Sequence, residues 1–96
     1  MSDFYVYILT NKNNTVLYTG ITNNIVRRVY EHKEQIKEGC FSAEYNLLKL
    51  VYYEIYPDPN AAIAREKFLK KAFRRYKNSL INKFNPSWKD LYDDIT

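Results

Sequence analysis

The chain has 96 residues, of which 46% are hydrophobic, and a formal net charge of +4. This length fits one small domain with one core, and the hydrophobic fraction excludes a disordered chain. The single cysteine, Cys40, excludes an internal disulfide, and no apolar run reaches the ~18 residues of a membrane span. We therefore expect a cytoplasmic protein whose mild excess of positive charge favours an anionic partner.

The first 21 residues predict a β-hairpin. Residues 4–9 and 16–21 are rich in β-branched and aromatic side chains, and residues 10–15 contain turn-forming asparagines. A turn centred on Lys12 and Asn13 places Tyr7 directly opposite Tyr18 in an antiparallel pair. The two phenols then share one face of the hairpin, and Gly20 leaves space beside them.

A helix follows the hairpin and runs to about Glu38, with Gly39 as its stop. Arg28 and His32 are four residues apart, so they lie on the same face of this helix. Residues 40–46 are predicted to form a loop. The helix start offers three capping residues, Thr22, Asn23 and Asn24, and its apolar stripe consists of Ile25, Val29 and Ile36.

Residues 47–56 predict a third strand, and Asp58 and Pro59 predict the start of a second helix as its N-cap and first position. We expect this helix to continue through Tyr76. Its inward stripe consists of Ala62, Ile63, Glu66, Leu69, Ala72, Phe73 and Tyr76. Its outward side is basic, with Lys67, Lys70, Lys71, Arg74 and Arg75.

The end of the chain predicts a short helix over residues 79–84, followed by the break at Asn85-Pro86. The apolar side chains after this break are expected to fold back on the core: Trp88, Leu91 and Tyr92. Residues 1–92 then form a single domain, and residues 93–96 a disordered tail. The predicted fold is of the α+β type, with a three-stranded antiparallel sheet flanked by helices.

Glu66 is the residue that departs most from its expected surroundings, because a carboxylate on an apolar helix face costs several kcal/mol unless it is paired. It is either a boundary residue bonded to a tyrosine or an arginine, or a ligand for a hard divalent metal. Glu54 remains open as a rival carboxylate, beside Glu44 and the presumed cap Asp58.

The other polar residues have ordinary and functional interpretations. Arg28 and His32 form either a solvated helix face or a phosphate grip with a proton acceptor. Tyr7 and Tyr18 are either ordinary strand aromatics or reactive phenols, whose pKa of ~10 makes them poor bases until it is shifted. The basic helix face is either solvated surface or a track for a DNA backbone.

Together these residues resemble the GIY-YIG nuclease family, in particular its small stand-alone bacterial members. Val6-Tyr7-Ile8 and Tyr18-Thr19-Gly20 are similar to the two halves of the motif that names the family. Arg28 lies ten residues after Tyr18 and His32 four beyond it, which are the family's offsets. Glu66 matches the family's metal-binding glutamate, and Asn85 matches a late asparagine of some members. The resemblance spans residues 4–92, with VYI in place of GIY.

The resemblance implies a metal-dependent endonuclease that hydrolyses DNA phosphodiester bonds, in DNA repair or recombination. Glu66 would hold one Mg²⁺ or Mn²⁺, Arg28 would stabilise the phosphate charge, and Tyr7, Tyr18 or His32 would serve as general base. The expected substrate contacts are Gly20, Thr22, Lys67, Lys70, Lys71, Arg74 and Asn85.

Such nucleases usually carry a further DNA-recognition domain, for which these residues leave no room. A protein partner that supplies targeting is therefore part of this hypothesis, and RNA stays open as a substrate. The alternative function is a nucleic-acid-binding module or an adaptor that keeps the fold and cleaves little. A pure binding module would have no need of Glu66.

Overall fold

The computed structural model describes residues 3–34 and 47–96. Its elements in chain order are β1 (Phe4–Thr10), β2 (Leu17–Thr22), α1 (Ile25–Glu34), β3 (Lys49–Tyr56), α2 (Pro59–Lys71), α3 (Arg74–Phe84) and α4 (Tyr92–Ile95). The strands form an antiparallel sheet in the order β2-β1-β3. This arrangement confirms the predicted α+β fold. In these two ranges, no helix has the length and apolar character needed to cross a membrane.

The sheet is covered on both faces, which explains why the central strand β1 is apolar at successive positions. Tyr7 and Leu9 belong to the core that α1 and α4 cover, whereas Val6 and Ile8 belong to the cores under α2 and α3. Successive side chains of a strand point to opposite faces. Because both faces are buried, β1 has no exposed side chain from Val6 to Thr10.

The hairpin register differs from the predicted one by two residues. Tyr7 pairs with Gly20, and Tyr18 pairs with Leu9, so the prediction that Tyr7 faces Tyr18 directly was wrong. The turn lies one position later than expected, because Asn14 adopts a left-handed φ of 58°. Since side chains alternate with a period of two, an even shift keeps Tyr7 and Tyr18 on the same face.

The predicted long second helix is in fact two helices. Ala72 and Phe73 have extended backbone, with ψ of 149° and 152°, so α2 ends at Lys71 and α3 starts at Arg74. The bend lets α3 bury Ile81 against the sheet. Phe73 is 81% exposed and Tyr76 is also exposed, so neither belongs to an inward stripe.

The remaining boundaries differ by small amounts. Asp58 caps α2 by accepting from two backbone N–H groups, as predicted, whereas β3 begins two residues later than expected. The prediction of a helix to Glu38 and of a loop over 40–46 extends outside the described residues. The predicted tail contains the short helix α4, whose Ile95 packs against the core.

Candidate active site

Tyr7 lies over the backbone of the neighbouring strand at Gly20. The Tyr7 side chain is fully buried, and a Cβ atom at Gly20 would be 2.5 Å from its hydroxyl oxygen and 2.6 Å from Cζ. These distances are far below van der Waals contact, which is ~3.5–4.0 Å between carbon atoms. Gly20 is therefore needed where the Tyr7 hydroxyl crosses the outer strand β2.

Three rings surround this crossing point. The Tyr7 ring centroid is 6.4 Å from that of Tyr18 and 6.1 Å from that of His32, and the Tyr18 and His32 centroids are 5.6 Å apart. The Tyr7 hydroxyl oxygen is 3.3 Å from Nε2 of His32. The structure thus brings the two tyrosines of the hairpin and the histidine of α1 into one cluster.

The environment of Tyr7 favours its protonated form. Burial raises the pKa of Tyr7 most strongly, and the charges of Tyr18 and Glu66 add to this effect. The nearby positive charge of Arg28 acts in the opposite direction without cancelling the rise. Tyr7 is therefore a neutral phenol at pH 7.

Arg28 reaches this site from α1, the helix that also carries His32. Its Nε lies 3.4 Å from Oε1 of Glu31, and its side chain is partly exposed. The adjacent Arg27 also lies near Glu31, at 3.8 Å, but points further into solvent. The guanidinium of Arg28 is therefore close enough to influence Tyr7 and is still partly accessible to solvent.

Glu66 comes from α2, which packs on the opposite face of the sheet from α1. Its side chain is 13% exposed and forms an ion pair with Lys70, with Nζ 2.9 Å from Oε2. This hydrogen bond raises the pKa of Lys70. The described partner of Glu66 is thus a lysine one turn later, rather than the tyrosine or arginine of the boundary interpretation.

The donor set around Glu66 fits a magnesium-type ion. Within residues 3–34 and 47–96, no three His, Cys, Asp or Glu side chains cluster as a metal cage would require. Mg²⁺ retains several waters and is commonly held by one or two carboxylates together with substrate phosphates. A single carboxylate that is 13% exposed meets that requirement, whereas it would be a poor zinc site.

Glu54, the rival carboxylate, is fully engaged elsewhere. It accepts three hydrogen bonds from Arg65, two from Nε at 2.9 Å and 3.2 Å and one from a terminal nitrogen at 3.0 Å, and further ones from the hydroxyls of Tyr52 and Tyr56. Although burial raises the pKa of Glu54, these hydrogen bonds lower it below its usual range. Glu54 thus ties β3 to α2 and is not available to a ligand.

The cluster of Glu54, Arg65, Tyr52 and Tyr56 was not predicted from the sequence. One of its members, Arg65, directly precedes Glu66 in the chain. A signal for it existed. Tyr52, Glu54 and Tyr56 alternate along β3, so they share one face of the strand. Since Arg65 fixes α2 against β3, it also helps to set where Glu66 lies.

Two of the predicted substrate-contacting residues, Asn85 and Thr22, form hydrogen bonds with the protein backbone. Asn85 is 2% exposed, and its amide nitrogen donates to the carbonyls of Val51 at 3.2 Å and Lys89 at 2.8 Å. Thr22 is also buried, and its hydroxyl accepts from the N–H of Asn24 at 3.1 Å. Both side chains hold the backbone, so we propose no contact between them and a substrate.

The predicted basic contacts lie on the outer side of α2 and at the start of α3. Lys67 and Lys71 are exposed, and Lys70 pairs with Glu66. Arg74 donates to the carbonyl oxygens of Thr15 at 2.9 Å and Asn14 at 2.7 Å in the hairpin turn. The structure therefore brings Tyr7, Tyr18 and His32 together beside Gly20, places Arg28 and Glu66 within electrostatic range of Tyr7, and leaves most of the lysines on the periphery.

Comparison with known proteins gives a consistent family assignment. The family model described as the GIY-YIG catalytic domain matches residues 3–89. A UPF0213 protein of Clostridium perfringens is 40% identical over 82 residues, covering 81% of this chain and 82% of that protein. One of Syntrophus aciditrophicus is 40% identical over 90 residues, with 90% and 97% covered. The solution NMR structure of a UPF0213 protein from Bacillus halodurans has a TM-score of 0.53 at 30% identity and 83% coverage of both chains.

Proposed function

The chain belongs to the GIY-YIG catalytic-domain family, and we propose that it is a metal-dependent endonuclease that hydrolyses DNA phosphodiester bonds. The observation that carries this proposal is the cluster of Tyr7, Tyr18 and His32 beside Gly20. Arg28 and Glu66 both act on the pKa of Tyr7, and His32 lies at 3.3 Å from its hydroxyl. A binding module would have no use for a mostly buried glutamate at this position.

Glu66 would hold one Mg²⁺ or Mn²⁺. When bound, such an ion neutralises charge on the scissile phosphate and favours departure of the leaving oxygen. Glu66 suits this role because its carboxylate is mostly shielded from solvent and is engaged by the flexible, half-exposed side chain of Lys70. The Lys70 ammonium can move to a phosphate oxygen and release the carboxylate.

The proton of the attacking water is best passed through two residues. The water oxygen forms a bond to phosphorus and the bond to the leaving oxygen breaks. The water gives its proton to the Tyr7 hydroxyl oxygen, while Tyr7 passes its own proton to Nε2 of His32. Because burial raises the pKa of Tyr7, a free phenolate is costly, and this relay avoids it. His32 must be neutral to accept the proton.

Arg28 would bind the phosphate oxygens as negative charge develops. A guanidinium presents several N–H donors in a fixed plane and makes paired hydrogen bonds to phosphate. Removing one such donor from the transition state typically costs about 10²–10³ in rate. Tyr18 would position the water or the phosphate, since its ring lies against both Tyr7 and His32.

The test is cleavage of branched, single-stranded and duplex DNA with Mg²⁺ or Mn²⁺. Arg28→Lys and Glu66→Gln are compared with two matched controls, Arg27→Lys on the same helix and the exposed Asp93→Asn. We expect losses of at least about 10²-fold for the first pair and unchanged rates for the controls.

Equal cleavage by the wild type and by the Arg28 and Glu66 variants would indicate a contaminating nuclease and refute the catalytic assignment. DNA binding without cleavage of any substrate would favour the alternative, a nucleic-acid-binding module with the same fold. Cleavage of RNA in preference to DNA would change the substrate class while keeping the site.

The compartment, the process and the partner of the proposed nuclease are also proposals. We propose that the protein acts on DNA in the cytoplasm, in repair or recombination, and that a partner protein directs it to its substrate. Its single cysteine is compatible with a reducing compartment. Co-purification of the chain with a DNA-binding protein, retained after nuclease treatment of the lysate, would support the partner; its loss on nuclease treatment would contradict it.

A further inference from the structure

The face of α3 that points away from the core carries a shallow, open, basic depression, the α3 groove, whose lining residues all belong to this one helix. Its lining contains three cationic side chains and no carboxylate. The other lining groups are amides and a hydroxyl, which also bind phosphate oxygens. The lining residues are Arg74, Arg75, Asn78, Ser79, Asn82 and Lys83.

This groove is connected to the candidate active site by a line of positive charges. Lys70 is bonded to Glu66 and interacts electrostatically with Tyr18. Arg74, the first residue of α3 beyond the bend, is fixed against the hairpin turn by its hydrogen bonds to the carbonyls of Asn14 and Thr15. The charges therefore run from the site, past the β1–β2 turn, into the α3 groove.

The opposite flank of the site has a different character. A cleft between the far end of β2 and the start of α2 is lined by uncharged residues: Phe4, Ile21, Thr22, Asn23, Pro59 and Ile63. Such a lining offers no charge to a phosphate. The described part of the chain thus presents positive charge on one side of the site and a neutral, largely apolar cleft on the other.

We propose that one strand of the DNA leaves the active site along Lys70 and Arg74, and that the α3 groove holds its phosphates on one side of the scissile bond only. This proposal takes the position of the scissile bond from the proposed function; binding in the groove does not depend on cleavage. The 11 residues of α3 rise by ~16 Å, which corresponds to about five nucleotides of a B-form strand.

Binding in the groove can be tested without catalysis. The Glu66→Gln protein, free of divalent metal, is titrated with a fluorescent thymidine oligonucleotide of about 15 nucleotides, and Arg75→Ala and Lys83→Ala are compared with Lys89→Ala. Lys89 lies outside the groove and pairs with Asp94. Each groove substitution should weaken binding several-fold and reduce the slope of log K against log salt by roughly 0.7, the single-strand value for one phosphate contact.

Nuclear magnetic resonance locates the contact. On addition of the oligonucleotide, the side-chain NH₂ signals of Asn78 and Asn82 should shift more than the backbone signals of Asn23 and Ile63. Larger shifts at Asn23 and Ile63, or unchanged affinity of both groove variants, would overturn the proposal. A uridine oligonucleotide with equal affinity would support recognition of the phosphodiester backbone, whereas binding of uridine alone would overturn the assignment to DNA.

One-sided recognition is tested with the active protein on a DNA whose cleaved bond has been mapped. Shortening the flank on one side should raise KM, and shortening the other should leave it unchanged. The Arg75→Ala, Lys83→Ala double variant should lose this asymmetry. Equal sensitivity to both flanks would refute the one-sided contact. If the chain does not cleave DNA, the binding and resonance measurements still decide whether the groove holds a strand.

Discussion

Gly20→Ala gives the most direct test of how Tyr7 is placed. The new methyl group would lie 2.5 Å from the Tyr7 hydroxyl oxygen and 2.6 Å from Cζ. Ordinary carbon contacts are ~3.5–4.0 Å, so the ring must move by about 1 Å. It is fully buried, and no open space receives it without repacking.

The size of the effect follows from two opposing contributions. Overpacking of a well-filled core costs about 1–3 kcal/mol. Replacement of glycine by alanine reduces the freedom of the unfolded chain, which favours folding by about 0.4–1 kcal/mol. We expect a net loss of about 1 kcal/mol or more, which lowers the Tm by roughly 4–8 °C for each kcal/mol in a domain of this size.

The assay is thermal and urea unfolding of Gly20→Ala, Tyr7→Leu and the double variant. Tyr7→Leu removes the ring atoms that the methyl group meets, so the double variant should be more stable than the sum of the single losses predicts. Contacting residues typically show such a coupling of about 0.5–3 kcal/mol. For the proposed nuclease, a 1 Å displacement of Tyr7 should also reduce the cleavage rate about 10²-fold.

Two results would refute this reasoning. If Gly20→Ala were as stable as the wild type or more so, the methyl group would have room, and the Tyr7 ring would not cross Gly20. If the losses of the two single variants simply added, the two positions would not be in contact. Unchanged cleavage by Gly20→Ala would separately refute the role of Tyr7 in the chemistry.

Three further outcomes follow from the buried polar groups. The hydrogen bonds that lower the pKa of Glu54 should stabilise the fold above the unfolded-state pKa of a glutamate, and this stabilisation should be lost as pH falls through the lowered folded value. In urea unfolding from pH 3 to 7, Glu54→Gln should therefore lose less stability at acid pH than the wild type. An equal loss of stability at acid pH in both proteins would contradict this. Burial and the hydrogen bond to Glu54 raise the pKa of Tyr56 to about 12. In an alkaline absorbance titration, Tyr56→Phe should therefore lack one of the phenols that ionise at the highest pH. The absence of a phenol that ionises at lower pH would contradict this. Asn85→Ala should cost about 1–3 kcal/mol in urea unfolding, because two carbonyls lose their donor, while the folded fraction keeps its affinity for DNA; weakened affinity would instead place Asn85 at the substrate.

The sequence predicted correctly which side chains share a face where their spacing matches the two-residue period of a strand or the 3.6-residue period of a helix. The alternation in the hairpin was enough to put Tyr7 and Tyr18 on one face, and the spacing of four was enough to align Arg28 with His32. The exact register was not accessible, because several asparagines in the turn all tolerate the left-handed backbone that Asn14 adopts.

Other features depend on tertiary packing and left no local signal. Ala72 and Phe73 are not helix breakers, yet the chain bends there because Ile81 must reach the sheet. The burial of the Asn85 amide against two backbone carbonyls likewise has no signature in the sequence. The ion pair between Glu66 and Lys70, in contrast, has a local signal, because the two residues are four apart on one helix.

The adjacency of Arg65 and Glu66 restricts how α2 can change during evolution. One residue attaches the helix to β3 through Glu54, and the charge of the next raises the pKa of Tyr7. An insertion or deletion between the cap at Asp58 and Arg65 would rotate both side chains by about 100° and misplace both at once. The length of that segment should therefore be invariant among functional relatives, whereas the bend after Lys71 can absorb additions.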